Sequence, residues 1–258
     1  MNKFFGAACL AITMSATTVA ALAAEQQVSE TRAVDARVMK VKLGGIIDLR
    51  VKQGAAASLV ISGDQRYVPK VVTTQQGDTL LIDIERNRHI HFGGNNKEQL
   101  RAELTLPNFN ELVSQGVGST EISGFSGEQI RLALDGAGAV TLASRYRNID
   151  ANLGGVGSMT LNAPDCERVD LSLRGAGRIE VNGQSKLLRA KLGGVGSLEA
   201  RELRADAVDL NMTGLGSATV YAKTNANLNL NGLGSATVYG KPANRKSTAS
   251  GLGSVSWE

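Results

Sequence analysis

The sequence has almost nothing with which to staple itself. It holds two cysteines, and only Cys166 lies beyond the N-terminal segment, so the folded part has no internal disulfide. A lone thiol reads first as a small packed side chain. A catalytic thiol would want a neighbouring histidine, and the two histidines, His89 and His91, lie far away in sequence. Aromatics make up 4% of the chain and prolines number four, which beside its many glycines suggests many short strands with tight corners. Basic residues exceed acidic ones by only 28 to 24, and no Lys/Arg cluster is interleaved with aromatics. The electrostatic footprint of a nucleic-acid binder is therefore missing. No apolar periodicity of 3.6 appears, which excludes helical repeats. Beyond the N-terminus no run is apolar and long enough to span a bilayer, so no integral membrane segment is expected in the mature chain.

The N-terminal run is short and interrupted. Lys3 is the only charge before Glu25, and the stretch from Phe4 to Ala23 is broken by Thr13, Ser15, Thr17 and Thr18. A basic start, a brief apolar stretch and Ala21-Leu22-Ala23 read as a secretory signal over residues 1–23, cleaved after Ala23 or Ala24. The expected location is outside the cytoplasm, in the periplasm first, with the cell surface or medium as alternatives. Its removal leaves 27 basic residues against 24 acidic.

What the sequence does have is glycine, 30 residues of it, placed with a period. Gly-x-Gly occurs eight times, as Gly116/Gly118, Gly136/Gly138, Gly155/Gly157, Gly175/Gly177, Gly194/Gly196, Gly214/Gly216, Gly232/Gly234 and Gly251/Gly253. The spacing stays between 18 and 20 residues. Two residues before the first glycine of the six units from Gly136 to Gly232 stand Leu134, Leu153, Leu173, Leu192, Met212 and Leu230, with further aliphatics four and six residues before. After the glycines the alternation resumes, as in Val140 and Leu142 or Met159 and Leu161. Strict alternation is the pattern of a strand with one dry face. One unit of about nineteen residues is too small to bury a core alone. The fold class that follows is all-β: a parallel β-helix or solenoid, with each Gly-x-Gly a structural corner. The residue between the glycines is always aliphatic and is expected to turn inward. The segments between units, such as Gly124-Phe125-Ser126-Gly127 and Ala163-Pro164-Asp165-Cys166, read as variable polar bends.

Residues 30–113 read as a less regular β region that forms the first, wider turns and caps the solenoid of residues 114–258, the two making one continuous domain. Its candidate strands are Val38–Leu43, Ile46–Lys52, Ser58–Ser62, Lys70–Thr74, Thr79–Glu85 and Gln99–Leu106, with a hairpin turn at Gln76-Gly77-Asp78. Arg86–Lys97, which carries both histidines, reads as a loop. At the other end Trp257 falls at an inward position, and Lys241, Arg245 and Lys246 are placed to blunt the last edge.

The glycines do not make a nucleotide site. The third glycine of G-x-G-x-x-G is replaced by Glu, Thr or Ser, and no helix follows. Calcium repeats would need a carboxylate after the second glycine, where Ser is usual. His89-x-His91 lacks a third ligand, so no metal is assigned. The outward acids Glu121, Asp135, Glu180 and Glu199 are scattered, which argues against a polysaccharide lyase or hydrolase. No catalytic residue and no cofactor are assigned. The outward columns of Ser, Thr and Asn read as a solvated face with ladders that support stacking. Within it, Tyr221 and Tyr239, one unit apart, with Asn211 and Asn229, form a candidate glycan surface.

The early strands Ile46–Lys52, Ser58–Ser62 and Thr79–Ile84 are followed by Leu104-Thr105-Leu106-Pro107, with Phe109 and Leu112, then Gly116-Val117-Gly118-Ser119 and the repeats. Together they resemble a bacterial family described as a putative auto-transporter adhesin, head GIN domain. The resemblance covers nearly the whole mature chain, although the Gly-Ile-Asn tripeptide is absent. It implies a right-handed parallel β-helix similar in shape to pectin lyases, without conserved catalytic residues, and a role in adhesion. The expectation is a non-enzymatic envelope protein that binds or scaffolds through its surface, with glycan, cell-wall polymer or an envelope protein as partner. The alternatives are a polysaccharide-active enzyme on the same architecture and a structural protein that self-assembles through its last rung.

Overall fold

Alternating aliphatic and polar residues give each repeat one dry face, and stacking is the only way to close it. The structure is a computed structural model that describes residues 27–85 and 100–258. The expected signal segment and the His89/His91 loop lie outside the described residues. The short strands β1 (Gln27–Arg32), β2 (Lys40–Leu43), β3 (Ile47–Gln53), β4 (Ser58–Asp64), β5 (Val71–Gln76), β6 (Thr79–Ile84), β7 (Leu100–Leu106) and β8 (Glu111–Ser114) come first. The long strands β9 (Val117–Leu134), β10 (Ala137–Leu153), β11 (Val156–Leu173), β12 (Ala176–Leu192), β13 (Val195–Met212) and β14 (Leu215–Tyr239) follow. They end in β15 (Asn244–Gly251) and β16 (Ser254–Trp257). The whole is a parallel β-solenoid of about seven turns.

Register keeps equivalent residues in columns. Val140 lies opposite Met159, Leu142 opposite Leu161, and Leu153 opposite Leu173. The same columns continue through Ile179, Val181 and Leu192 into the later rungs. Leu134, Leu153, Leu173, Leu192, Met212 and Leu230 are all buried. Burying such side chains is worth ~1.5–3 kcal/mol each, so the interior column is the main source of stability.

At the corners the backbone itself is the packing surface. The amide of each central residue from Ala137 to Leu215 donates to the carbonyl of the first glycine one rung below: Val156 to Gly136, Val195 to Gly175 and Leu215 to Gly194, each at 3.0 Å. The leucine two residues before the corner accepts two amides from the next rung, Leu134 taking both Gly154 and Gly155 at 2.9 Å. A β-carbon on Gly155 would lie 1.9 Å from the Gly136 carbonyl oxygen, and one on Gly157 would lie 1.8 Å from that of Gly138. Glycine is required there because the next carbonyl occupies the space a side chain would need.

The last two Gly-x-Gly units depart from the expected corner. Strand β14 runs through Gly232-Leu233-Gly234 without a break, whereas at the earlier corners one strand ends at the leucine or methionine before the first glycine and the next begins at the central residue. A β-carbon on Gly234 would lie 2.9 Å from the Gly216 carbonyl oxygen, and one on Gly253 would lie 3.3 Å from that of Gly234. Both distances are far longer than the 1.8 Å at Gly157, and neither glycine takes the positive φ of 152° found there. The step from Gly214 to Gly232 is 18 residues, the shortest of the series, and Gly253 belongs to the last rung. The stacking that excludes a side chain at the earlier corners is therefore relaxed at Gly234 and nearly absent at Gly253.

The central residue of the corner points outward, which corrects the sequence expectation. Val117, Val156, Val195, Leu215, Leu233 and Leu252 are among the most exposed large hydrophobics, with Leu252 at 85%. Alternation runs unbroken through Gly-x-Gly. The glycines take the inward positions, and the residue between them falls on the outward parity. The solenoid therefore carries a row of aliphatic side chains along one edge.

The bends also differ from expectation. Strand continues through them, with local register shifts, as between Ala143 and Asn148. They send side chains inward, Phe125, Ser144 and Leu203 among them, and one column of buried residues runs through Tyr146, Cys166, Ser185, Ala205 and Ala222 in successive rungs. The series tapers from aromatic to methyl along the axis.

The N-terminal region stacks in parallel too, but out of chain order. Strand β2 pairs with β8 and β3 with β9, while β6 and β7 pair with the far sides of β2 and β3. Antiparallel strands then close this end, β4 against β7, β1 against β4 and β5 against β6. Gly77 at φ 61 makes the expected hairpin turn. Strands β1 and β8 were not anticipated. Leu43-Gly44-Gly45-Ile46 is an extra corner: Gly45 accepts the Val117 amide at 2.7 Å, and Ile46 bridges to Val117. At the opposite end, inward positions held by Ala226, Leu228 and Leu230 become Arg245, Ser247 and Ala249 in the last rung. Arg245 donates to the Pro242 carbonyl at 2.9 Å and lays its guanidinium 5.4 Å from the Trp257 ring centroid.

Two adjacent glycines test the corner. A β-carbon on Gly194 would meet the Gly175 carbonyl oxygen at 2.0 Å, whereas one on Gly193 meets nothing nearer than the Thr213 hydroxyl at 3.5 Å. In urea unfolding, Gly194→Ala is expected to lose on the order of 3 kcal/mol, and Gly193→Ala to stay within about 0.5 kcal/mol of the parent. Equal losses would show that backbone freedom, not the stacked carbonyl, demands glycine.

Candidate functional site

The titratable groups are mostly engaged in holding rungs together. Arg50 bridges Glu121 at 3.0 Å and Glu103 at 3.8 Å. On the bends, Glu128, Arg147, Glu167 and Lys186 alternate in sign up four rungs, with contacts of 3.4, 2.9 and 3.0 Å. The hydrogen bonds from Lys186 and Arg147 hold the Glu167 carboxyl below its ordinary range, and those to Glu167 and Glu128 raise Arg147. Such exposed pairs add little each, ~0–1 kcal/mol, and serve to fix register. Of the outward acids named from sequence, the fold brings two together, Glu180 standing opposite Glu199 in the next rung. Glu121 is taken up by Arg50, and Asp135 lies at a corner. Among the described residues no three His, Cys, Asp or Glu gather as a metal site.

Two buried groups are chemically quiet. Burial, followed by the charge of Asp165, pushes the Cys166 thiol up to about 11, and its S–H donates to the Tyr146 carbonyl at 3.0 Å. Tyr146 donates its hydroxyl to the Phe109 carbonyl, and burial raises its phenol well above the usual tyrosine value. Cys166 is thus the packed side chain the sequence suggested, and Tyr146 ties the N-terminal region to the second repeat.

The outward surfaces hold the candidates for binding. The first is the aliphatic row, beginning at Ile46 and running through the eight Gly-x-Gly units. Beside it lies a shallow trough of about 560 Å³ lined by Gly157, Gly177, Arg178, Val195, Gly196, Ser197, Leu215, Gly216 and Ser217. Its floor is glycine backbone. Sequence reasoning missed this surface, although parity alone would have found it.

The second lies where the rung leaves the leg after the corner. Tyr221 and Tyr239 hold equivalent places in successive repeats. Their rings are already partnered: the Arg204 guanidinium lies 4.4 Å from the Tyr221 centroid, and that of Arg201 lies 4.3 Å from Tyr239. Asn211 and Asn229 face each other in neighbouring rungs, but on the leg before the corner, so the fold separates them from the tyrosines. Their neighbours form an amide ladder, Asn227 donating to Asp209 at 3.3 Å and Asn244 to Asn225 at 2.7 Å. A third, polar recess of about 250 Å³ sits at the junction with the N-terminal region, lined by Lys40, Asn110, Glu111, Gln129 and Arg131.

Comparison with known proteins places this geometry. The profile of a family described as "putative auto-transporter adhesin, head GIN domain" matches residues 39–242. Among solved structures, a putative adhesin from Parabacteroides merdae superposes with a TM-score of 0.76 at 17% identity, covering 90% of this chain and 96% of the other. A putative adhesin from Bacteroides fragilis gives 0.68 at 20% identity, covering 91% and 98%. A protein from Parabacteroides distasonis described as a putative lipid binding protein gives 0.68 at 22% identity, covering 89% and 96%. At these identities the likeness is one of fold. No curated protein matches.

The thiol makes a direct prediction. Because its folded value lies above the ordinary 9.0, the protonated form favours the fold; that contribution is complete below pH 9 and is lost as pH rises through about 11. Native Cys166 should resist iodoacetamide at pH 8 while the urea-unfolded chain is labelled fully, as mass spectrometry would show. Rapid native labelling would contradict its burial.

Proposed function

From the premise that the chain belongs to the putative auto-transporter adhesin, head GIN domain family, we propose an exported, non-enzymatic envelope protein that binds or scaffolds through its solenoid surface. Its partner would be a glycan, a cell-wall polymer or another envelope protein. The observation that carries the reading is the aliphatic row. Val156 is 61% exposed and Leu252 85%, while the inward leucine column from Leu134 to Leu230 is buried. A contiguous exposed apolar strip marks an interaction surface more often than a folding requirement. The stacked corner requires glycine at its two ends, but nothing about the turn requires an aliphatic side chain between them. The row also continues through Leu233 and Leu252, where the corner itself has relaxed. Export is supported by the Lys3-led apolar N-terminus and its Ala21-Leu22-Ala23 site.

The enzymatic alternative has one specific observation in its favour, the Glu180–Glu199 apposition. Both carboxylates project from an outward strand face, Glu180 exposed and Glu199 half-buried. Acid–base chemistry on a glycosidic bond would instead want the pair held around a water-excluding cleft.

One experiment separates the readings. The mature chain is incubated with purified cell-wall sacculi and a polysaccharide panel, and both co-sedimentation and new reducing ends or unsaturated products are measured. Saturable binding without turnover is expected, weakened severalfold by Val195→Ser with Leu215→Ser. Turnover abolished by Glu180→Gln would overturn the non-enzymatic reading, and absence of binding to every fraction would overturn the glycan and cell-wall part of it.

A further inference from the structure

The tyrosine pair is the part of the surface where chemistry is most sharply defined. In consecutive repeats Tyr221 and Tyr239 fall at the same place, one rung apart, a spacing of ~4.8 Å. Each ring carries a guanidinium within stacking distance, Arg204 on Tyr221 and Arg201 on Tyr239. A guanidinium laid on an aromatic ring keeps its in-plane N–H groups free at the edge, where they match a carboxylate in bidentate fashion. The stacking removes rotamer freedom in advance, so less order is lost when an anion binds.

The chain does not fill that edge with its own carboxylates. Elsewhere Arg37, Arg50, Arg147 and Arg168 each pair with an Asp or Glu. Among the described residues neither Arg201 nor Arg204 has such a partner, although Glu199, Glu202 and Asp206 are close in sequence. Asp206 is engaged instead by Lys223, at 3.9 Å.

The bend after Tyr239 adds a second, independent feature. Lys241 is the one non-glycine residue with positive φ among the described residues, at 49°. A β-carbon on the preceding Gly240 would meet the Tyr221 ring at 2.9 Å, so this bend is packed against the ring. A strained, exposed lysine is thereby fixed beside the stack, in the kind of backbone state that clusters at functional sites.

We infer that Arg201, Arg204, Tyr221, Tyr239 and Lys241 form a site for an acidic polysaccharide, with the guanidinium edges taking successive carboxylates of a chain that runs along the solenoid axis. This rests on the glycan-binding reading and narrows it. Neutral sugars would have to displace the guanidiniums to reach the ring faces, whereas carboxylates use them where they are. Binding of this kind weakens with salt but keeps a specific stoichiometry.

The probe is polygalacturonate, with its fully methyl-esterified form as a partner of the same backbone without charge. Affinity is measured by titration calorimetry on the mature chain, the double variant Arg201→Gln/Arg204→Gln, and Arg189→Gln on a different leg as a control. All are checked by circular dichroism, which should be unchanged because these side chains are exposed. The expected result is binding of the acid form only, weakened roughly tenfold or more in the double variant and unchanged in the control. Equal binding of both polymers, unaffected by the double variant, would overturn the inference and leave the glycan reading standing. No binding of either polymer would overturn the inference as well, and binding to the broader sugar panel would then decide the glycan reading. Equal loss in the double variant and the control would reduce the effect to net charge and also overturn it. Preference for anionic phospholipid vesicles over polygalacturonate, removed by the same double variant, would reassign the site to lipid headgroups.

Discussion

The stacked glycine corner is the constraint from which the rest of the molecule follows. At the corners from Val156 to Leu215 a backbone amide bonds to the glycine carbonyl of the rung below at 3.0 Å, and that carbonyl sits where a β-carbon would project. Backbone lies directly on backbone. The corner fixes the height of every rung, which brings the leucines two residues earlier into one column and the aliphatics after the second glycine into others. It also fixes parity. With glycines in the inward positions, the residue between them has only the outside to face. The dry interior and the outward placement of the central residue are thus two consequences of the same geometry, whereas the aliphatic character of that residue is not required by it.

Between corners the chain is freer, and its variation is concentrated there. The bends accept Tyr146, Cys166, Ser185, Ala205 and Ala222 in one inward column, a taper that corners could not tolerate. The wide end is where the N-terminal strands dock, with Tyr146 hydrogen-bonded to Phe109 and the rings of Phe109 and Phe125 5.6 Å apart. Antiparallel strands β1, β4 and β5 end the stack on that side. At the narrow end the stacking loosens at Gly234 and Gly253, the inward column turns polar, and Arg245 lies over Trp257. An open parallel stack would invite further chains to its edge, and each end carries a device that discourages this.

Much of this was legible in the chain because alternation and period are local. The repeat, the buried leucine columns and the Gly77 hairpin could be read directly. What could not be read depended on partners distant in sequence. The order of β6, β2 and β8 beside one another gives no local signal, since each pairs across 30 residues or more. The corner at Gly44-Gly45 was hidden because Ile47 replaces its second glycine, although Leu43-Gly44-Gly45-Ile46 repeats the pattern of Leu153-Gly154-Gly155-Val156. The reverse error occurs at Gly234 and Gly253. Gly-Leu-Gly-Ser reads the same at 214, 232 and 251, yet how closely the rungs approach differs, and that is not a local property. The outward turn of Val156 and its equivalents was misread by assuming that an aliphatic residue must be buried. The tyrosine pair was visible, but its guanidinium partners were not, because Arg204 comes from the repeat before Tyr221 and Arg201 from two repeats before Tyr239. The apposition of Glu180 and Glu199 likewise needed the register.

A surface built this way suits binding along a length better than catalysis at a point, because successive rungs present similar faces at the same spacing. The central claim is that the corner residues combine an exposed side chain with an amide locked into the stack. Amide hydrogen exchange followed by NMR tests it most directly. The amides of Val156, Val195 and Leu215 should exchange as slowly as those of the buried Leu161 and Leu198, despite their solvent-facing side chains. Exchange at the rate of open loop amides would contradict the stacked corner and the fold built on it.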